Sequence, residues 1–335
     1  MKKSLITKTV ESYRIEENAF KNYVAVSGDV AMFEILEIGK HKTMQSDSKR
    51  NVALFKGDLI LAAFGDRYAT EQFEGYVPTS VMSEYHILGA GGVIGIVKSK
   101  NAAFKDIEPT KVRLIGFAVD AENNIINTKF HGIDRPEFTA DKRMPKVILS
   151  LGATMDSGKT TTAAFVSRGL FLGGYKVGFI KLTGTAYTKD KDFVFDAGAE
   201  RAMDFSDAGY PSTFTIPITE ILSIYEFLRT SITAQGTLDY IVVEIADGIL
   251  QQETLALINN QEFMRTIHAV VFSCGDSLSA LHGIQVLKNM GISPRFLCGK
   301  FTMSELLIQE VKQYIDIPVF TLEQIEGQES NALLA

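Results

Sequence analysis

The sequence has little cysteine, little proline and no large surplus of charge of either sign. Two cysteines among 335 residues, Cys274 and Cys298, both in apolar surroundings, exclude a disulfide-stapled scaffold and fit free buried thiols in a reducing compartment. Eight prolines and a hydrophobic fraction of 46% exclude a collagenous or disordered chain. Thirty-four basic against forty acidic side chains leave a net charge of −6, so no global pull toward nucleic acid or anionic lipid is expected. Long apolar runs are missing too. The longest uncharged one, Tyr85 to Val97, holds four glycines and is too short to span a bilayer. The basic start at Met1–Ile6 is interrupted by Lys8, Glu11 and Arg14, which is not a signal-peptide pattern. A cytoplasmic protein with no membrane partner is the expectation. The 5 histidines (His41, His86, His131, His268, His282) show no metal-ligand spacing, which disfavours a zinc site. A Gly-x-Ser-x-Gly elbow is absent, as is the aromatic and basic interleaving of RNA binders.

What is present is an organisation in two parts, and the length alone predicts roughly two domains at about 150 residues each. Residues 1–130 alternate on a short period, with strand-like runs at 23–26, 30–38, 51–55, 58–64, 86–97 and 112–119. Gly, Asp, Asn and Lys clusters separate the runs, and Asp120–Asn124 has the composition of a hairpin turn. This predicts a small all-β domain, a barrel or a sandwich. The stretch 131–145, with Asp134-Arg-Pro136 and Arg143-Met-Pro145, is the natural linker. Residues 146–335 switch to strand, loop and amphipathic helix in repetition. Strands are expected at 146–151, 176–182, 239–245, 268–274, 294–298 and 317–320. Helices are expected at 158–172, 193–206, 218–234, 252–264, 276–290 and 303–314. Continuous Val/Ile/Leu strands between helices indicate an α/β domain with a mostly parallel sheet covered on both faces.

The first strand of this second domain runs straight into Gly152-Ala153-Thr154-Met155-Asp156-Ser157-Gly158-Lys159-Thr160-Thr161 and then a helical segment. Strand before and helix after is the setting that a phosphate-binding loop requires, and it marks a P-loop NTPase domain. Gly158 lets successive N–H groups turn inward toward anionic oxygens, and the helix start adds its positive dipole end. Lys159 would reach the β- and γ-phosphates, and the Thr160 hydroxyl would ligate Mg²⁺. Five residues separate Gly152 from Gly158, one more than is usual, and Ala153 holds the four-spaced position.

This loop, together with Gly174-Tyr-Lys-Val-Gly-Phe-Ile-Lys181-Leu-Thr-Gly184, resembles the dethiobiotin synthetase family. With Lys189-Asp-Lys-Asp192 and Asp196-Ala-Gly-Ala199 it is also similar to the adaptor family of molybdopterin-guanine dinucleotide synthesis. Both are SIMIBI-class P-loop NTPases, and the resemblance covers about residues 146–300. Thr154 stands where the MinD-like branch of that class carries an extra lysine, which disfavours that branch. The resemblance implies that Glu244, at the end of the strand Leu238–Glu244, serves the metal, with Asp247 as a reserve ligand. A strand-terminal carboxylate there can hold Mg²⁺ or orient an attacking group. The resemblance also implies a homodimer.

Lys181 closes another buried strand, where parallel sheets gather their ligands. A lysine at that point would neutralise a transferring phosphate or hold a substrate carboxylate. Thr183, Thr185, Asp192 and Asp196 are weaker candidates for substrate contact, and Asp156 could orient a nucleophile or brace its turn. Ser273 to Ser277, and Gly299-Lys300-Phe-Thr302, reach the same sheet edge and could line the site. Cys274 reads as an inert apolar residue. In the first domain, Gly65–Glu74 and Gly89–Gly92 could form a substrate or partner surface, but read first as turns between strands. The leading expectation is an ATP-dependent (or GTP-dependent) Mg²⁺ enzyme that passes or uses the γ-phosphoryl group on a small metabolite, as a kinase or a carboxylate-activating ligase. Its site would use Lys159, Lys181 and Glu244 for catalysis, and Thr160, Glu244 and Asp247 for the metal. A nucleotide-dependent switch acting on a protein partner is the alternative. A polynucleotide kinase is a third, against which the acidic net charge argues.

Overall fold

The computed structural model describes residues 1–140 and 145–335. Positions 141–144, which include Arg143 and Met144 of the expected linker, lie outside the described residues. The chain divides into two compact units. One comprises Met1–Arg135 with Gly184–Thr188 and Phe205–Thr215, and the other comprises Pro136–Thr183, Lys189–Asp204 and Ile216–Ala335.

The first unit is built from β1 (Lys2–Lys3), β2 (Arg14–Glu16), β3 (Val30–Glu37), β4 (Thr43–Gln45), β5 (Asn51–Ala53), β6 (Leu59–Phe64), β7 (Phe73–Tyr76), β8 (Tyr85–Gly89), β9 (Val93–Lys100) and β10 (Lys111–Val119). Strands β6, β3, β10, β8 and β9 follow one another by hydrogen bonding, and β9 then pairs back onto β6 at Ala63↔Val93 and Phe64↔Ile94. The sheet therefore closes as a barrel, which removes the edges that an open sheet would leave. Alternation drives this fold: in β3 the even turns of the pleat bury Ala31, Phe33 and Ile35. Inside, Phe33, Phe64, Tyr85 and Phe117 meet edge-on or stacked, with centroids 5.4 Å apart for Phe33–Phe64 and 5.3 Å for Phe64–Tyr85. Each such ring contributes about 2–3 kcal/mol by leaving water.

Two expectations for this region need correction. Residues 23–26 form no strand: the Asp29 carboxylate accepts from the Val26 N–H (2.8 Å) and the Tyr23 hydroxyl (2.9 Å), which ties this irregular segment to the turn at Ser27–Gly28. The run 86–97 is two antiparallel strands, β8 and β9, reversed at Ala90–Gly92, where Gly92 has φ 93°. The Asp120–Asn124 turn is present, with Asp120 N–H donating to the Asn124 carbonyl at 3.0 Å.

The second unit contains β11 (Lys146–Gly152), α1 (Lys159–Leu172), β12 (Val177–Lys181), α2 (Lys189–Asp196), β13 (Arg201–Asp204), α3 (Ile218–Thr233), β14 (Tyr240–Glu244), α4 (Gln252–Asn259), α5 (Gln261–Arg265), β15 (Ile267–Ser273), α6 (Ser277–Asn289), β16 (Phe296–Cys298), α7 (Glu305–Lys312), α8 (Leu322–Glu326) and α9 (Asn331–Leu334). The strands are all parallel in the order β13-β12-β14-β11-β15-β16. Helices pack against buried strand residues such as Ile148, Phe179, Val242 and Val271, the pattern of an α/β sheet.

Three helix and strand expectations change here. The span 193–206 is not one helix: α2 begins and ends earlier, Gly198 adopts φ 117°, and Arg201–Asp204 adds an edge strand to β12. A buried ion pair, Lys191 to Asp204 at 3.0 Å, ties the helix to that strand. The span 252–264 breaks at Asn260, whose side chain caps α5 by accepting from the Phe263 N–H. Residues 317–320 make only an isolated bridge, Leu297↔Val319. No helix among the described residues is long and apolar enough to cross a membrane.

Candidate phosphate-binding site

β11 lies between β14 and β15, so the loop that leaves it at Gly152 emerges beside the carboxyl ends of both neighbours. Such a position is where open parallel sheets bind ligands. The loop is pinned on each side. Ala153 N–H donates to the Ser273 carbonyl (2.9 Å), Ile249 N–H to the Gly152 carbonyl (2.9 Å) and Lys300 N–H to the Ser157 carbonyl (3.1 Å). Two glycines are required by this course. A Cβ at Gly152 would stand 2.3 Å from Ser157 Oγ and 2.5 Å from Lys159 Cγ, and Gly158 turns the chain into α1 at φ 103°. Asp156 also takes a left-handed conformation, φ 58°. From Gly158 the helix begins at once, with Thr162 N–H on the Gly158 carbonyl at 2.8 Å.

Lys159 folds back across this loop and donates from Nζ to the Thr154 carbonyl at 2.8 Å. It is 6% exposed, and burial pushes its pKa below the usual lysine value against the pull of Glu244, Asp247 and Asp156. Thr160 Oγ1 donates to Glu244 Oε1 at 2.9 Å. Glu244 ends β14 at 1% exposure, and its Oε2 has no hydrogen-bond partner. Burial raises its pKa, opposed by Lys181. Lys181 Nζ hydrogen-bonds Asp190 and lies 3.8 Å from Glu244 Oε1. Burial works against the Lys181 charge, but Glu244 and Asp190 outweigh it and hold the ammonium above the usual lysine range.

These groups surround a cavity of about 600 Å³. Met155, Asp156, Gly158, Lys159, Thr160, Thr161, Lys181, Glu244 and Asp247 line it, so the structure brings most of the expected site residues together. Gly152, Ala153, Thr154 and Ser157 build the loop from behind. Thr183 is a brace, because its hydroxyl donates to the Ala246 carbonyl and accepts the Ala246 N–H, both at 2.8 Å. Thr185, bridged to Ser212, belongs to the barrel unit. Asp192 and Asp196 lie on α2 but do not line the cavity, and Ser273 Oγ hydrogen-bonds Thr162 Oγ1 behind the loop (2.9 Å). Cys274 is a buried free thiol with its pKa pushed up by burial, so it is inert.

The sequence marked Lys189–Asp192 only as part of a family likeness and gave no site role to Lys189, Asp190 or Phe193, which the start of α2 carries to the cavity wall. The available signal was the Lys189–Asp192 charge alternation, but no periodicity says that Lys181 would meet Asp190. A second cavity, about 700 Å³, sits at the opposite strand ends around Met264, His268 and Arg295 and gathers no comparable set of carboxylates and lysines.

The residues fit a divalent cation. A hydroxyl, a buried carboxylate with one unsatisfied oxygen and a second carboxylate at Asp247 are hard oxygen donors, which suit Mg²⁺. Ser157 Oγ is likewise buried without a hydrogen-bond partner, packed against Gly152 within the loop.

No protein-family model matches the sequence, and no curated protein matches it. Among solved structures, the chain is similar to the signal recognition particle receptor FtsY from Elizabethkingia anophelis in complex with GDP. The identity is 14%, over 56% of this chain and 58% of that one, with a TM-score of 0.36. It therefore spans less than two-thirds of that receptor's length. The hydrogenase maturation factor HypB from Archaeoglobus fulgidus matches at 12% identity over 56% of this chain and 90% of that one, with a TM-score of 0.35. Likeness at this level adds no weight to the geometry of the loop.

Proposed function

We propose that the second unit is a SIMIBI-class P-loop domain that binds a Mg²⁺–nucleoside triphosphate, ATP or GTP, and passes or uses the γ-phosphoryl group on a small metabolite. The observation that carries this reading is the buried, half-satisfied Glu244 carboxylate on the Thr160 hydroxyl, directly beneath the Lys159 loop. Backbone N–H groups of the loop and the first turn of α1 would take the phosphate oxygens, and Lys159 would exchange the Thr154 carbonyl for them. Bound Mg²⁺ would offset charge on the phosphate tail. Lys181, kept protonated by its two carboxylates, would steady the transferred group or an acidic acceptor. Positioning and charge neutralisation are what phosphoryl transfer mainly requires.

Calorimetry with ATP and with GTP, each with and without Mg²⁺, tests the binding. Incubation with a metabolite pool then tests the reaction, a phosphorylated or ligated product being expected. Heat without any product, or hydrolysis stimulated only by a protein, would turn the reading to a switch. No heat with either nucleotide overturns it.

A further inference from the structure

The cavity at the strand ends away from the phosphate loop has no part in the proposed function. At about 700 Å³ it falls within the size range of small-molecule sites. Residues 267–270 of β15 form its floor, α4 and α5 supply one wall, and the turn after α6 with the approach to β16 supplies the other. Its charge is one-sided. The chain holds forty acidic side chains, yet none of the lining residues is an Asp or a Glu, and the lining residue with a permanent charge is Arg295. The Arg295 guanidinium is exposed and makes no hydrogen bond or ion pair with the described residues.

We propose that this cavity binds a small molecule with an oxyanion head, a carboxylate or a phosphate, on an apolar body, the head on Arg295 and the body along the floor. A guanidinium takes such a head through two parallel hydrogen bonds. Uncharged donors share its wall. Asn289 Oδ1 accepts from Gln285 Nε2 at 2.9 Å, which leaves the Asn289 Nδ2 to donate, and Ser293 adds a hydroxyl. The body has a surface of its own. Ile258, Ala269, Val270 and Ile292 line the cavity as buried apolar residues, and Met264 and Met290 add flexible thioethers that mould to a chain or ring. A bare inorganic ion would leave that lining in water, so the ligand has to be amphipathic.

The walls are fixed by backbone bonds. Arg295 N–H donates to the Val270 carbonyl at 2.8 Å, which anchors the arginine on the sheet. Gly291, at φ 74°, turns the chain out of α6, and Ile292 N–H closes that turn on the Leu287 carbonyl at 2.9 Å. On the other wall the Asn260 side chain caps α5, and the Thr266 hydroxyl donates to the Phe263 carbonyl at 2.7 Å. His268 Nε2 lies 3.1 Å from the Ala335 backbone oxygen, which orients the ring without a ligand. No lining residue is shared with the phosphate-loop cavity, so either site can exist without the other.

Met264 and Met290 serve as local reporters, so that an anion at the Lys159 loop does not register. Methionine methyl ¹³C resonances of the full chain, assigned with Met264→Leu and Met290→Leu, are followed during separate titrations with hexanoate and hexyl phosphate. Saturable shifts of both signals are expected with at least one of them, and the tighter binder tells carboxylate from phosphate. Hexanol, the body without the charge, and acetate, the charge without the body, should each bind about tenfold more weakly or worse. Arg295→Gln is expected to weaken the response to the acids about tenfold. No shift of either methyl up to about ten millimolar of both acids overturns the proposal. So does binding that Arg295→Gln leaves unchanged, and so does hexanol or acetate binding as tightly as the acids, a criterion that needs no variant to fold.

Discussion

Lys181 in the parallel-sheet unit and Lys40 in the barrel are both half-buried lysines, yet their surroundings move them in opposite directions. Lys181 faces Glu244 and Asp190 and is held above the usual lysine range, whereas Lys40 faces Arg67 and falls to about 8. Desolvation acts downward on both, so the neighbouring charge decides the sign. The first arrangement is neutral enough to hold a metal and a polyphosphate together. In the second, a neighbouring guanidinium adds to desolvation instead of opposing it.

The contrast can be broken most severely at Lys159. Lys159→Ala is expected to weaken nucleotide binding about hundredfold or more in calorimetry, because the phosphate tail loses its only buried loop cation. Next in size is Glu244→Gln. The gain in nucleotide affinity that Mg²⁺ provides should fall about tenfold. In the absence of ligand the same variant should melt no lower than wild type, since ionising this buried acid opposes folding.

A smaller effect belongs to His41. The unfolded chain protonates this imidazole below pH 6.5, but the folded barrel does so only near about 3, because burial, Arg67 and Lys40 all oppose its charge. Its contribution to stability is therefore complete above pH 6.5 and is lost as the pH falls toward 3. Denaturant titrations of His41→Asn should show a pH slope in that window shallower by up to about 1.4 kcal/mol per unit. The smallest change is Asp190→Asn. It removes one of the two carboxylates beside Lys181 and should bring the lysine down toward Lys40's behaviour, seen by NMR of the ε-carbon, with turnover reduced about threefold.

Much of this was legible in the residues. The change of period near 130–146, the hairpin at Asp120–Asn124 and the strand-loop-helix at 146–172 all follow from local pattern. Gly158, Lys159, Thr160 and Glu244 meet because a parallel sheet aligns its strand ends, which the topology alone implies. Barrel closure was not legible, since the β6–β9 pairing depends on register between segments thirty residues apart. Arg201-Ala-Met-Asp204 has no β-branched residue and reads as helix, yet it becomes a strand because β12 offers an unpaired edge. The Lys40–Arg67–Gln72 cluster, in which both cations donate to the Gln72 amide oxygen, was invisible for a similar reason. Its members are unremarkable one by one, and bonds between segments far apart in the chain, 39–41 to 108–110 and Gln72 to Asn101, draw them together.

The segments Gly184–Thr188 and Phe205–Thr215, though encoded after the phosphate loop, complete the barrel unit. Gln45 and Thr188 exchange two hydrogen bonds, at 2.7 and 3.0 Å, and a Cβ on Gly91 would lie 2.0 Å from the Ala186 carbonyl oxygen. A recombination joint at Arg135 would thus pass on a closed sheet whose Gln45 and Gly91 have lost these neighbours. Exchange of either half for a foreign module would have to carry both insertions with the barrel.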